Sequence, residues 1–379
     1  MKYFIIAGEA SGDLHGSRLI LALKQHDPQA TFQFLGGDEM AHAAGCMPII
    51  HYRDMAYMGF VEVVKHLGSI LGFMGTARRA MQEQCPDALI LIDYPSFNLR
   101  MAKWAKGQGI PVFYFISPKV WVWKEWRVKS IKRYVSRMFS ILPFETAFYA
   151  KHDYRVDYVG NPTVKEIADA RQQFATWEQF AAQQGLDASR QLIALVPGSR
   201  RQEIAQNLPV MVQAAQGRGC QLAIAGAPSI DDELYRHVLQ PLGIEVPVVK
   251  GHTFELVHHA RVALVTSGTA TLETALLRTP QVACYRMNGK KYIYRFYRCL
   301  LKGRYVTLPN LIADAPIIPE LLLHYCTPVA IGGWLDALLP DSLERQKMLA
   351  DYEHMAQLLT THDCANETAR GIVDALSDK

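Results

Sequence analysis

Lys2-Tyr-Phe-Ile-Ile-Ala-Gly-Glu-Ala-Ser-Gly-Asp-Leu-His-Gly16 opens the chain. Tyr3–Ala7 is an unbroken apolar run that stops at a glycine-rich turn. From Asp13 to Gln25 a helical pattern follows, with Leu14, Leu19 and Leu23 among its apolar positions. A buried parallel strand leading through a tight turn into a helix reads this way. The pattern returns in the second half as Leu192-Ile-Ala-Leu-Val-Pro-Gly-Ser-Arg-Arg201, and a third small-residue turn follows as Val265-Thr-Ser-Gly-Thr-Ala-Thr-Leu-Glu273. Each unit sets free backbone N–H groups and a helix N-terminus at the end of a buried strand, a ready anion site. Two such domains in one chain imply two substrates held across a cleft, at least one of them carrying phosphate.

Outward from these turns, strands and helices keep alternating. Thr31–Leu35, Ala88–Asp93, Pro111–Ile116, Phe139–Leu142 and Arg155–Tyr158 read as strands of a first sheet, with a helix at Leu99–Gln108. Leu192–Val196, Gln221–Ala225, Val246–Lys250, Val262–Thr266 and Gln281–Tyr285 read as strands of a second. Its helices fall at Pro209–Gln216, Thr253–His259 and Ala270–Leu277. Such alternation predicts an α/β chain of two Rossmann-like, doubly wound parallel-sheet domains. The expected boundaries are 1–165 for an N-terminal acceptor domain, 166–190 for a polar Ala/Gln-rich linker helix and 191–335 for a C-terminal domain. Helices at 336–379 are expected to pack back over the junction.

With 379 residues, two domains are the natural division. A net charge of only +4, without a basic run, argues against nucleic acid as a partner. The seven cysteines are scattered and contain no C-x-x-C, as for reduced thiols rather than a disulfide framework or zinc site. No signal peptide is read at the N-terminus. No stretch is apolar enough to span a membrane; the nearest, Met58–Gly75, is broken by Glu62, Lys65 and His66. The sequence has no D-x-D and no H-E-x-x-H, so no metal and no cofactor is expected.

Asp93 lies at the carboxyl end of an apolar strand in Ile92-Asp-Tyr-Pro-Ser-Phe-Asn98. Ligands of open α/β sheets sit at that edge. A carboxylate partly desolvated there gains basicity, which suits a general base. Pro95 forces a sharp exit and Asn98 adds a second polar head; a plain N-cap is the competing reading of Asp93. In the first turn, Glu9, Ser11 and Asp13 are candidates for the acceptor side of the cleft. An ordinary tight turn, with Ser11 or Asp13 capping its helix, stands equally beside that. Gly198 and Ser199 offer N–H groups, and Arg200 can grip a phosphate by two parallel hydrogen bonds. Arg201 and Glu203 read as a solvated first helical turn. Ser267, Gly268 and Thr269 form another helix N-terminus, and Glu273 one turn in can accept from ribose hydroxyls or serve as a dipole partner.

Two stretches mix aromatic and basic residues. One is Trp121-Val-Trp-Lys-Glu-Trp-Arg-Val-Lys129 with Lys132 and Arg133; the other runs from Tyr285 to Tyr305. With Met58–Met74 they fit a membrane surface or acyl chains, and equally a core face with snorkelling lysines.

Taken in order, these segments resemble the lipid-A-disaccharide synthases, bacterial glycosyltransferases of the two-Rossmann GT-B class. The likeness runs nearly end to end. It also rests on Ser117-Pro-x-Val-Trp121, Leu142-Pro-Phe-Glu145, Val159-Gly-Asn-Pro162, Leu308-Pro-Asn310 and Pro319-Glu-Leu321. The resemblance implies transfer of the sugar of UDP-2,3-diacylglucosamine to the 6-hydroxyl of 2,3-diacylglucosamine 1-phosphate, with inversion. The products are a β-1,6 lipid A disaccharide phosphate and UDP. It implies Asp93 as base with Asn98 orienting sugar or base. Gly198, Ser199 and Arg200 would face the UDP phosphates, and Ser267, Gly268, Thr269 and Glu273 phosphate and ribose. Asn310 and Glu320 would line the donor side. It further implies a cytoplasmic protein, peripheral on the inner face of the inner membrane, and a homodimer with exchanged C-terminal domains.

The chain departs from the family pattern at three places: Lys119 replaces a small polar residue, Ser96 an acidic one, and Leu323-His324 follow Pro-Glu-Leu-Leu where glutamine is usual. Ser96 leaves Asp93 as the only carboxylate of its loop. Two other readings compete. One is another GT-B enzyme of UDP-N-acetylglucosamine, an epimerase or the transferase of peptidoglycan precursors. The other is a non-catalytic nucleotide-sugar or acidic-lipid binder.

Overall fold

The computed structural model describes residues 1–55, 67–123, 125–266, 268–286, 305–359 and 362–377. They fall into two compact units, Met1–Pro162 with Thr360–Lys379, and Thr163–Leu359.

The first unit is built on β1 (Lys2–Ala7), β2 (Thr31–Gly36), β3 (Ile50–His51), β4 (Ala88–Ile92), β5 (Val112–Phe115), β6 (Arg137–Ser140) and β7 (Asp157–Tyr158). All pair in parallel, in the order β3-β2-β1-β4-β5-β6-β7. The apolar runs of β1 and β4 exist because both faces of the sheet are covered. Tyr3, Ile5 and Ala7 join one core with Leu19 and Leu23 of the helix Ala10–His26, and Phe4 and Ile6 join the other with Met101 and Ala105 of the helix Pro95–Gly107. The C-terminal helix Cys364–Ser377 belongs to the first core through Ala365, Ala369 and Ile372. Gly371 admits the Phe139 ring, which would lie 2.7 Å from a Cβ, and its carbonyl accepts from Arg137 at 2.9 Å.

In the second unit the strands are β8 (Leu192–Val196), β9 (Gln221–Gly226), β10 (Val248–Lys250), β11 (Val262–Val265), β12 (Gln281–Tyr285) and β13 (Glu320–Leu322). They too are parallel, ordered β10-β9-β8-β11-β12-β13. In each sheet the strand order reverses once, between β1 and β4 and between β8 and β11. In doubly wound sheets ligands bind at that reversal, beyond the carboxyl ends of the strands. The turns read from the sequence as functional follow β1, β4, β8 and β11, on both sides of the two reversals.

Some local expectations shift. The segment 166–190 is not one polar connecting helix. It holds two helices, Pro162–Arg171 and Trp177–Gln184, separated where Thr176 closes a capping box with Gln179. Ile167 and Phe180 are buried against β8 in the second unit. The helix placed at Pro209–Gln216 begins at Arg201 and carries Pro209 inside it. Burial of Ile204, Leu208 and Met211 outweighs the ladder hydrogen bond that proline cannot make. Strands β3 and β13, each three residues or shorter, escaped notice because so few residues show no periodicity.

Candidate active site

Register aligns the carboxyl ends in the first unit: Ala7 pairs Ile92 and Ile92 pairs Phe115. The residues that follow leave the strands in strained backbone. Asp93 and Tyr94 have φ of 43° and 47°, and Ile116 after β5 has 64°. Left-handed backbone is uncommon outside glycine and a genuine outlier for a β-branched residue such as Ile116; strain of this kind gathers at functional sites. The surrounding hydrogen bonds hold it. Asn98 Nδ2 donates to the carbonyls of Ile92 at 3.1 Å and Asp93 at 2.8 Å, and the Tyr114 hydroxyl also donates to the Asp93 carbonyl. On this fixed backbone Asp93 is half-buried. Burial raises its pKa; the Lys119 charge opposes that and Glu9 adds to it. Desolvation therefore makes Asp93 a stronger base than a solvated aspartate.

Asn98 is wholly buried, and its contacts are to the Asp93 turn, so it is a positioning residue. Tyr94 packs its ring over Gly8, where a Cβ would lie 2.5 Å from Tyr94 Cγ. The turns after β1 and β4 thus touch. Glu9 and Ser11 are exposed in that turn. Asp13 is not available to an acceptor. It is 3% exposed, and its carboxylate accepts the backbone N–H groups of Gly37 (2.7 Å), Glu39 (3.1 Å) and Met40 (3.2 Å). It caps the next helix, Asp38–Ala44, rather than its own.

Sequence reasoning missed a group beside this site. Glu145 is buried and accepts from Ser117 Oγ at 2.7 Å, Trp121 Nε1 at 2.9 Å and the Ser140 hydroxyl. Burial outweighs these donors and lifts its pKa to about 7. It lay in a quoted motif, but nothing in the spacing joins it to Ser117, 28 positions away.

In the second unit Gly198 has φ 105°. Glu203 folds back beneath it and accepts the Ser199 N–H at 3.3 Å and Arg200 Nη1 at 3.2 Å. It is therefore not a freely solvated first-turn residue. Arg200 is 82% exposed and presents its guanidinium at the start of the helix Arg201–Ala215. After β11, Gly268 opens the helix Gly268–Leu276 with Thr269 exposed; Ser267 lies outside the described residues. Glu273 is half-buried, and desolvation with the charge of Glu166 raises its pKa to about 7.

Asn310 and Glu320 do something else. Glu320 Oε1 accepts from Thr307 N (2.8 Å), Thr307 Oγ1 (2.7 Å), Asn310 Nδ2 (3.0 Å) and Val306 N (3.1 Å). Asn310, 1% exposed, also exchanges hydrogen bonds with the backbone of Ile318. The pair staples β13 to the start of the helix Leu308–Ala313, and both residues also line a cavity with Tyr305 and Trp334. Of the aromatic-basic and apolar stretches, 56–66, 124 and 287–304 lie outside the described residues.

Among the described residues no group of side chains is arranged to hold a metal ion, and no helix is long and apolar enough to cross a membrane. The arrangement is that of two nucleotide-type folds, one offering a desolvated carboxylate and the other an arginine and two helix N-termini.

Solved structures share this architecture across the whole chain. The UDP-GlcNAc 2-epimerase of Neisseria meningitidis, bound to UDP-GlcNAc, matches with TM-score 0.66 at 12% identity, each chain covered completely. That of Rickettsia bellii matches at 0.64 and 11%, covering 100% of this chain and 97% of the other. At such identity the likeness defines the fold, GT-B, and nothing finer. The sequence goes further. The family described as lipid-A-disaccharide synthetase matches residues 3–373. The lipid-A-disaccharide synthase of Trichlorobacter lovleyi is 37% identical over 346 residues, 90% of this chain and 88% of that one. Those of Geobacter metallireducens (34%; 100% and 98%) and Myxococcus xanthus (36%; 99% and 97%) extend the match to the full length. The chain is thus a GT-B glycosyltransferase. It belongs to the lipid-A-disaccharide synthase family, and its role is synthesis of the lipid A disaccharide.

Proposed function

We propose that the enzyme transfers the sugar of UDP-2,3-diacylglucosamine to 2,3-diacylglucosamine 1-phosphate, with the acceptor on the first unit and the donor on the second. The acceptor 6-hydroxyl oxygen attacks the donor's anomeric carbon from the face opposite the diphosphate. The bond from that carbon to the phosphate oxygen breaks, and the hydroxyl proton passes to the Asp93 carboxylate. The charge released on UDP meets Arg200, the Ser199 N–H and the helix N-terminus beginning at Arg201. A single displacement of this kind inverts the anomeric centre. Glu273 accepts from the ribose hydroxyls, and Gly268 and Thr269 approach the phosphates. Glu9 and Ser11 face the acceptor.

The observation that carries this reading is the Asp93 turn. A carboxylate desolvated at the strand-order reversal, on backbone fixed by Asn98 and Tyr114, suits a base whose pKa must rise toward neutrality. Peripheral attachment at the inner face of the inner membrane belongs to the same reading. Trp126 and Leu71, large apolar residues of the first unit more than half exposed, support it. A homodimer with exchanged C-terminal domains also belongs to this reading; a molar mass measured in detergent tests the dimer, and an inter-protomer cross-link tests the exchange.

The deciding experiment is UDP release in micelles with the diacylated donor, with and without the acceptor. Acceptor-dependent UDP release together with a tetraacyl disaccharide phosphate by mass establishes the reaction. Equal turnover of unacylated UDP-N-acetylglucosamine overturns the acyl-specific reading.

A further inference from the structure

The loop after β5 brings a second, cationic feature to the Asp93 edge. It is pinned on both sides of its tip: Ser117 and Trp121 both donate to the buried Glu145 carboxylate. Between them the Val120 N–H closes on the Pro118 carbonyl at 2.6 Å, which makes Lys119 the middle residue of a three-residue turn. Lys119 is exposed and has no hydrogen-bond or ion-pair partner among the described residues. β5 pairs with β4, and the Asp93 N–H donates to the Phe115 carbonyl at 3.3 Å, so the two loops leave the sheet side by side. The field of Lys119 reaches the Asp93 carboxyl.

Arg127 comes to the same edge from the following segment. Its Nη2 donates to Ser96 Oγ at 3.1 Å, in the Asp93 loop itself. It bonds there to a neutral hydroxyl and keeps its full charge; burial lowers its pKa, so a counter-anion would be welcome. Two cations that form no ion pair among the described residues therefore stand at the end of β4, where the field of Lys119 is shared between Asp93 and the buried Glu145, and Glu9 is near.

We infer that Lys119 and Arg127 form the seat for the acceptor's anomeric phosphate. This rests on the reading of the first unit as acceptor site. The phosphate-bearing carbon and the carbon carrying the 6-hydroxymethyl group both adjoin the ring oxygen. A base for the hydroxyl and cations for the phosphate must then lie close together, and Asp93, Lys119 and the Ser96-bound Arg127 share this edge of the sheet. Arg127 offers two donors in a plane and Lys119 a mobile point charge. Glu145 is the positioning residue that holds the Lys119 turn.

The test compares 2,3-diacylglucosamine 1-phosphate with the same acceptor lacking its phosphate, in wild type, Lys119→Ala and Arg127→Gln. Selective loss is expected: KM for the phosphorylated acceptor rises tenfold or more in either variant, at least fivefold more than any change on the dephosphorylated one. Equal losses on both acceptors, or none, overturn the assignment and leave Lys119 as a modulator of Asp93. A binding arm needs no turnover. Glucosamine 1-phosphate is titrated against glucosamine with UDP saturating, so that Arg200 is occupied. Phosphate-dependent binding in wild type that weakens in both variants supports the seat, even if the disaccharide reaction itself fails. Binding that ignores the phosphate, or the variants, overturns it.

Discussion

The Glu203 carboxylate accepts the Ser199 backbone N–H at 3.3 Å while pairing with Arg200 at 3.2 Å. An internal anion thus occupies the two donors that suit a diphosphate. On the proposed reading UDP must share or displace it. Glu203→Gln removes the competing charge, and tighter UDP binding is expected, by about 1 kcal/mol or roughly fivefold. Calorimetric titration with UDP checks this; weaker binding would make Glu203 a scaffold for the site.

On the proposed reading Arg200→Ala removes a charge-assisted contact to the leaving group. UDP affinity should fall by about 2–3 kcal/mol, roughly 30- to 150-fold. An unchanged UDP titration would take Arg200 out of the site.

Asp93→Asn keeps the shape of the turn, because Asn98 and Tyr114 hold its carbonyl rather than its carboxylate. Asparagine cannot take the proton. Turnover should fall by about 10²–10⁴-fold with UDP binding intact. Retained turnover would mean that another base does the work.

Glu273 has a carboxyl lifted to about 7 by burial and Glu166. Raised above its unfolded value, it holds a proton in the folded chain that it has lost in the unfolded one between about 4.5 and 7, so stability falls as pH rises through that window. On the proposed reading a ribose hydroxyl donates to Glu273, and it does so more strongly to the ionised form than to the neutral carboxyl. UDP affinity should therefore rise with pH up to about 7 and then level off. UDP phosphates titrate in the same direction, so the quantity to compare is wild type against Glu273→Gln. Superimposable pH slopes in the two would exclude Glu273 from nucleotide binding.

Gly8 lies under the Tyr94 ring, and a methyl group there meets Cγ at 2.5 Å. Gly8→Ala should destabilise the fold by about 1–3 kcal/mol, measured by denaturant unfolding. It should also depress turnover, because displacing Tyr94 moves the neighbouring Asp93. Full stability with normal turnover would show the ring free to move aside.

Two sheets, and the positions of the turns that leave their central strands, were legible in the sequence alone. Buried parallel strands must be apolar throughout, and their exits must be small, so β1, β4, β8 and β11 announce themselves and carry Asp93, Gly198–Arg200 and Gly268 with them. The sequence also determined the family, because the ordered motifs are specific in combination. Tertiary structure alone decided what the polar residues near those turns do. Asp13 looks like a site residue in the sequence, yet its carboxylate is consumed by backbone N–H groups distant in the chain, and Asn310 and Glu320 prove to be bonded to each other. Glu145 and Glu203 look ordinary and prove central, one joining Ser117 to Ser140 and the other folding onto Ser199. Apolar burial repeats along a strand or helix and so leaves a periodic trace. A hydrogen bond between distant residues leaves none, since only the packed fold sets which donor meets which acceptor.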